Sequence, residues 1–148
     1  MACKLVTQTI RDKLVTLTQM NCMDGVEEMS KLLRVMGKVA YDYLSGDASI
    51  HHHLALIQSC TPEDIEYIKS VVCKCHIEGK KYTPYTLGFH IQNDYLLLME
   101  VFAFYVTANY KEFFTEGLLE LESKTKADLL LKQQEQAKMD SESKLQTE

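Results

Sequence analysis

The residues best suited to metal chemistry are histidines and cysteines in the middle of the chain. Residues 51–53 are three consecutive histidines, and Cys73, Cys75 and His76 lie further along. Imidazole and thiolate are the ligands that zinc prefers, but Cys-x-Cys on a helix points its two thiols to different faces. Three successive histidines cannot all converge on one ion. We therefore expect no metal site and interpret the cluster as a polar helix face.

An enzyme would be indicated by an activated nucleophile, a glycine-rich loop or a catalytic pair of acids. The chain has no Gly-x-Ser-x-Gly signature and no phosphate-cradling glycine loop. The acid pairs Glu27-Glu28 and Glu63-Asp64 lie at predicted helix starts, where the positive end of the helix dipole explains them. We expect no catalytic residues, no cofactor and no enzyme activity, so that binding to a partner is the leading class of function.

Aromatic residues recur between Tyr82 and Tyr105. Rings such as Tyr85, Phe89 and Tyr95 could line a ligand pocket, but aromatic residues at helical spacing more often fill a core. We interpret the run as core. The longest apolar stretch, from Tyr95 to Val106, is about a dozen residues and contains Glu100, whereas a membrane span needs about twenty. It predicts a buried core helix and no stable membrane span.

Composition indicates one globular domain. The chain has 148 residues, of which 46% are hydrophobic and 25% charged, with a formal net charge of −5. That charge gives no overall attraction to nucleic acid. The N-terminus lacks the apolar core of a signal peptide. The five cysteines are an odd number and do not have the spacing of a disulfide framework. We expect reduced thiols and a cytoplasmic localisation.

Apolar residues recur at spacings of three and four, which is the helical period, and predict an all-α fold with no sheet of more than two strands. A helical bundle domain is predicted over 1–131, followed by a polar, unstructured tail over 132–148 with few apolar side chains. The first predicted elements are a helix from Lys4 to Met20, a helix opening at Asp24 and ending at Gly46, and a short helix around Ile50–Ile57. A helix capped by Thr61 and ending at Gly79 follows, and then a turn over Lys80–Pro84. The last predicted elements are a helix capped by Asn93 or Asp94 and running through Val106, and a helix from Tyr110 to Ser123.

Two segments carry a resemblance to the Bcl-2 family. Residues 30–44, Ser-Lys-Leu-Leu-Arg-Val-Met-Gly-Lys-Val-Ala-Tyr-Asp-Tyr-Leu, resemble the second helix of that family, which carries the BH3 motif. Thr61-Pro62, Val71-Val72 and Ile77-Glu78-Gly79 resemble its fourth helix, so that the resemblance covers roughly residues 5 to 124. Pro-survival members carry Asn-Trp-Gly-Arg where this chain has Lys80-Lys81-Tyr82-Thr83-Pro84, and a hydrophobic C-terminal anchor is missing. The chain is similar to a divergent viral homologue.

The resemblance implies a single Bcl-2-like helical bundle around a central apolar helix. It also implies an inhibitor of apoptosis that sequesters the BH3 helices of pro-apoptotic proteins in a hydrophobic groove, in the cytoplasm or at mitochondria through those partners. The alternative for each groove residue is that it fills the core. The groove would be formed by Ala40, Tyr43 and Leu44, by Ile68, Val72 and Cys75, and by Lys80, Lys81, Tyr82 and Leu87.

A rival interpretation needs no groove. The second helix has a heptad-like pattern that could form a dimer seam. The chain would then be a self-associating helical viral protein, a homodimer that inhibits innate signalling or binds RNA. RNA binding weakens steeply with salt whereas groove binding hardly does, so salt dependence separates the two readings. The sequence has no strong basic patch, so under the BH3-binding interpretation we do not expect the protein to bind nucleic acid.

Overall fold

The structure is a computed structural model that describes the backbone of residues 3–146, and the side chains of these residues except 118–123, 125–127 and 138–146. The chain is 69% helical but also contains a four-stranded antiparallel sheet, so it is α+β and the all-α prediction is wrong. The sheet has the order β1-β2-β3-β4. In chain order the elements are β1 (Leu5–Ile10), β2 (Lys13–Thr18), α1 (Cys22–Met36), a 3-10 turn (Gly37–Val39), α2 (Ala40–Ser45), α3 (Ile50–Ser59), α4 (Pro62–Val72), β3 (His76–Ile77), β4 (Lys80–Lys81), α5 (Pro84–Ile91) and α6 (Tyr95–Gln146).

The chain opens with a β-hairpin where a helix over Lys4–Met20 was predicted. Strands β1 and β2 pair from Leu5 opposite Thr18 to Ile10 opposite Lys13. Arg11 and Asp12 form the turn, with φ of 47° and 68°, and two successive positive φ values match the right-handed twist of paired strands. The segment is rich in valine, threonine and isoleucine, whose branched Cβ atoms favour strands. In so short an apolar run the residue spacing fits a helix or a strand, and pairing between the two strands decides which one forms.

The helices that follow begin at sequence signals close to those predicted. The N-cap of α1 is Asn21 rather than Asp24, because the Asn21 side chain accepts a hydrogen bond from the Asp24 backbone N–H at 2.9 Å. Helix α1 ends at Met36, so the predicted helix to Gly46 is broken by the 3-10 turn. Gly46 ends α2 in the left-handed conformation, with φ of 86°, and its place as a helix end is confirmed.

Helix α3 confirms the short helix predicted around Ile50–Ile57, and α4 confirms its predicted cap but not its predicted end. Thr61 caps α4 through its side chain, which accepts from the Asp64 backbone N–H at 3.1 Å, while the Asp64 carboxylate accepts from the Thr61 N–H. Helix α4 ends at Val72, before the predicted Gly79. The chain then forms β3 and β4, so the predicted turn over Lys80–Pro84 is a strand followed by a helix start.

The core surrounds the first part of α6. Phe102, Tyr105 and Val106 are almost fully buried, together with Val15 from the sheet and Leu56 from α3. The prediction that the Tyr95–Val106 stretch is a core helix is confirmed for most of its residues, although Tyr95 itself is exposed. The single helix α6 covers the region where one helix through Val106 and another from Tyr110 to Ser123 were predicted. None of the helices within residues 3–146 is long and apolar enough to cross a membrane.

The described residues fall into two compact units, one up to Glu112 and one from Phe113 onwards. In the second unit the helix continues to Gln146, and the side chains of Leu129, Leu130 and Leu131 are exposed. The domain over 1–131 and the unstructured tail over 132–148 remain predictions.

Candidate partner-binding site

Helix α5 presents an aromatic pair to solvent. Thr83 caps the helix by accepting a hydrogen bond from the Thr86 backbone N–H at 3.2 Å, and Pro84 suits the first turn because it lacks an N–H. Tyr85 and Phe89 are 75% and 68% exposed, and their ring centroids are 5.0 Å apart in an edge contact. They lie one helical turn apart, on a face opposite the buried Leu87. An exposed pair of large rings is a common feature of protein-binding surfaces.

Further rings and charges lie near this pair along the chain. Tyr82 stacks on His90 with ring centroids 4.9 Å apart and planes inclined by 21°. Tyr95, at the start of α6, is 75% exposed. Both lysines of β4 are exposed. We call this set the α5 surface, which comprises Lys80, Lys81, Tyr82, Tyr85, Phe89, His90 and Tyr95.

A small, mainly apolar cavity lies between α4, α5 and the start of α6. Its volume is about 160 Å³, close to that of an apolar cavity that holds one benzene ring. It therefore has room for one apolar side chain of a partner. Burial raises the pKa of the Cys73 thiol in its wall, which keeps the thiol protonated and unreactive. Its lining includes Cys73, Leu87, Gly88, Ile91, Tyr95 and Leu98.

The α5 surface also differs from the rest of the chain in charge. Residues 79–93 contain no aspartate or glutamate, in a chain with 21 acidic residues. The two acids that flank this segment are both paired. One carboxylate oxygen of Asp94 accepts from the Leu97 backbone N–H at 3.1 Å and the other lies 3.4 Å from Nε of Arg11, while a carboxylate oxygen of Glu78 lies 3.5 Å from Nζ of Lys13. The surface therefore favours an apolar segment flanked by negative charge.

The structure separates the groove residues predicted from the sequence into two groups. Lys80 and Lys81 are exposed and Tyr82 is half-buried at the α5 surface, with Leu87 beneath it. The others lie in the core, where the Tyr43 ring contacts Phe102 with centroids 5.4 Å apart. A partner helix could not contact these buried side chains without opening the core. This second group consists of Tyr43, Leu44, Ile68, Val72 and Cys75, all buried, and the half-buried Ala40.

The sequence interpretation missed Tyr85, Phe89 and Tyr95 as surface residues. It assigned Lys80–Pro84 to a turn and predicted no helix over α5, although Thr83-Pro84 is a helix-start signal and aromatic residues four apart follow it. Helical spacing alone does not tell an exposed ring from a buried one. The histidines and cysteines considered for zinc do not converge: among the described residues no group of three or more potential ligands is placed to hold a metal ion. All five cysteines are free thiols, and burial raises the pKa of Cys75 to about 12.

A family model described as phage tail assembly chaperone protein, TAC, matches residues 11–120. The chain belongs to this phage tail assembly chaperone family. Neither a curated protein sequence nor a solved structure matches the chain.

Membership of the tail assembly chaperone family corrects the function predicted from the sequence. The resemblance to the Bcl-2 family is wrong, and so are apoptosis inhibition, BH3-containing partners and inhibition of innate signalling. Mitochondrial association has no support. The structure supplies the physical reason: residues 30–44 do not form one helix, because α1 ends at Met36 and a 3-10 turn follows. The opening helix that the resemblance required is a hairpin. An amphipathic pattern of leucine, glycine and aromatic residues is too common to identify a family.

Proposed function

We propose that this protein is a phage tail assembly chaperone that binds an apolar segment of an unassembled tail protein on the α5 surface and keeps it from aggregating. The observation that carries the proposal is the family match over residues 11–120, which includes the whole of α5. The role is binding rather than catalysis.

A chaperone of this kind needs an exposed apolar surface. Subunits of a permanent assembly bury large hydrophobic interfaces, which are open to solvent before assembly and promote aggregation. The rings of Tyr85 and Phe89 supply contact area at low entropic cost, because each has only two side-chain torsions. The cavity of about 160 Å³ beside them supports the seating of one apolar anchor side chain.

The charge of the α5 surface supports selective binding of those apolar segments that carry negative charge. The exposed Lys80 and Lys81 attract a segment that carries acidic residues next to its apolar anchor, because no acid lies between residues 79 and 93 and the adjacent Glu78 is paired with Lys13. Lysine suits such a rim because a flexible ammonium does not demand one fixed geometry.

The test is co-elution with individual tail proteins. Each tail protein encoded beside this chain is expressed singly with it, and the chain is purified through a tag. We expect one tail protein to co-elute in a defined ratio, and the double variant Tyr85→Ser/Phe89→Ser to bind it at least tenfold more weakly. Leu54→Ser is the matched control, since Leu54 is another exposed apolar residue, at 60%, but lies on α3. If no tail protein co-elutes with the wild type, the proposed function is wrong; if the double variant binds as tightly as Leu54→Ser, the α5 surface is not the site.

A further inference from the structure

Strand β1 has an open edge whose hydrogen-bonding groups can be assigned. Within the described residues β1 pairs only with β2, at the edge of the sheet. The carbonyl oxygen of Lys4 accepts a hydrogen bond from the Gln19 N–H at 2.9 Å, so the backbone of Lys4 faces β2. Since backbone direction alternates along a strand, Val6, Gln8 and Ile10 also face β2. The N–H and C=O groups of the residues between them, Leu5, Thr7 and Thr9, therefore point away from the sheet.

This edge lacks the usual protection against another strand. Natural edge strands are protected by charged side chains, prolines or bulges. The six residues Leu5–Ile10 contain no charge and no proline, and the register with β2 is continuous over the whole strand, without a bulge. Leu5 is 62% exposed. An unprotected edge that is rich in β-branched residues is suited to accept a further strand.

A cleft lies along the same edge. Its volume is about 640 Å³, within the range of pockets that enclose ligands. Residues of β1 such as Val6 and Gln8 line one side, whereas no residue of β2 contributes. The α6 side is mixed in character, with the apolar Leu96 and Phe104 and the charged Glu100 and Lys111. The cleft is therefore on the free side of β1. A strand added to β1 would direct every second side chain towards α6.

The cleft adjoins the α5 surface. Arg11 lines the cleft and Asp94 lines the small cavity beside α5, and the two side chains form an ion pair at 3.4 Å. Leu96 and Tyr95 are neighbours in sequence and line the cleft and the cavity respectively. A single partner segment can therefore extend from one to the other.

We infer that β1 binds an extended segment of the same tail protein by adding it as a further strand of the sheet, next to the apolar anchor held at α5. This inference rests on the proposed function. The bound segment is mainly uncharged where it pairs with β1, which itself carries no charge. A side chain that enters the cleft can be charged only where Arg11, Glu100 or Lys111 is there to pair with it. The alternate side chains of the segment are apolar where they meet Leu96 and Phe104.

The test uses the full chain and the tail protein that co-elutes with it. Thr7→Pro removes an outward-facing N–H without removing a hydrogen bond to β2, a position where an edge strand tolerates proline. We expect it to weaken tail-protein binding at least tenfold, with an unchanged melting temperature for the free chain. Thr7→Val, which keeps the N–H, is the control and should bind as the wild type does.

Amide exchange followed residue by residue gives a second readout that does not depend on a variant. In the free chain the amides of Thr7 and Thr9 should exchange quickly and those of Val6 and Gln8 slowly, and the tail protein should protect Thr7 and Thr9. Unchanged exchange at Thr7 and Thr9 in the complex, or equal affinity of Thr7→Pro and wild type, would overturn the strand addition while leaving the proposed function intact. Protection that appears in the free chain as its concentration rises would show that a second copy takes the edge, and would also overturn it. Failure of every tail protein to bind the wild type would overturn both proposals.

Discussion

Nε of Arg11, in the turn of the opening hairpin, lies 3.4 Å from a carboxylate oxygen of Asp94, just before α6. The other carboxylate oxygen of Asp94 accepts the Leu97 backbone N–H at 3.1 Å. One carboxylate therefore caps the central helix and holds the hairpin turn beside it. Both side chains are partly exposed, so water and salt weaken the ion pair, and the cap contributes more to stability than the pair does.

Replacement of Asp94 separates these two roles. Asp94→Ala removes the cap and the ion pair and should lower the free energy of unfolding by about 1 kcal/mol. Asp94→Asn keeps an oxygen that can cap the helix and loses only the pair, so its loss should be about half of that or less. Urea unfolding followed by circular dichroism measures both values. Equal losses for alanine and asparagine would show that the charge, and not the cap, is the stabilising feature.

The buried pair of Tyr43 and His53 predicts a pH dependence of stability. The Tyr43 hydroxyl lies 2.5 Å from Nδ1 of His53. Burial raises the pKa of the Tyr43 phenol, which stays protonated and can donate to the neutral imidazole. Burial, and secondly the neighbouring His52, lower the pKa of His53 in the folded state. The unfolded chain therefore binds a proton more readily, so stability is full above the unfolded pKa of about 6.5 and falls as the pH drops below it.

Unfolding in urea at pH 7.5 and pH 5.5 measures this slope. The wild type should be less stable at the lower pH, and His53→Gln should show a smaller difference between the two. The exposed His51 provides the matched control, since His51→Gln should keep the full wild-type difference. A slope that is unchanged in His53→Gln would assign the pH dependence to other groups.

Two phenylalanines test the assignment of core and surface. Phe102 is fully buried against Tyr43, whereas Phe89 is 68% exposed on α5. Phe102→Ala should lower the free energy of unfolding by about 3 to 5 kcal/mol, because it removes a packed ring and leaves a cavity. Phe89→Ala should change it by about 0.5 kcal/mol or less. Similar losses for the two variants would mean that Phe89 is packed against the chain and is not available to a partner.

The lysines of β4 should control how salt affects binding. Lys80→Gln/Lys81→Gln should weaken tail-protein binding about two- to tenfold at low salt and flatten its dependence on salt concentration, since exposed charge pairs contribute modestly and are screened. Lys31→Gln/Lys38→Gln changes two exposed lysines of the α1 region by the same charge and should behave as the wild type does. Binding whose salt dependence is the same in both double variants would remove the charge argument for the α5 surface.

Sequence signals predicted elements whose cause is local. The start of α4 was predicted from Thr61-Pro62, and that of α6 from Asn93 or Asp94, of which Asp94 is the cap. Such starts can be predicted because a cap acts within one turn of the helix. The opening hairpin was missed. Its turn residues Arg11 and Asp12 lack the Asn-Gly or Asp-Gly signature of a tight hairpin, and apolar residues four apart in so short a run fit a helix equally well.

Strands β3 and β4 could not be predicted from local sequence at all. Each has only two residues, and β3 is a strand because His76 and Ile77 pair with Thr16 and Val15 of β2. The candidate site shows the same contrast between features set by local sequence and features set by tertiary packing. Lys80 and Lys81 were predicted to border a partner groove and are exposed, but their part in binding stays a prediction. Tyr85 was assigned to the core and is exposed, since burial depends on which other elements cover a helix face.

The most direct measurement of the central claim is suppression of aggregation. The tail protein that co-elutes with the chain is unfolded in urea and diluted into buffer, and light scattering is followed with and without the chain. We predict that the wild type and Leu54→Ser suppress scattering at about one chain per tail protein, while Tyr85→Ser/Phe89→Ser leaves most of it. Scattering that is unchanged by a large excess of folded wild-type chain would contradict the account.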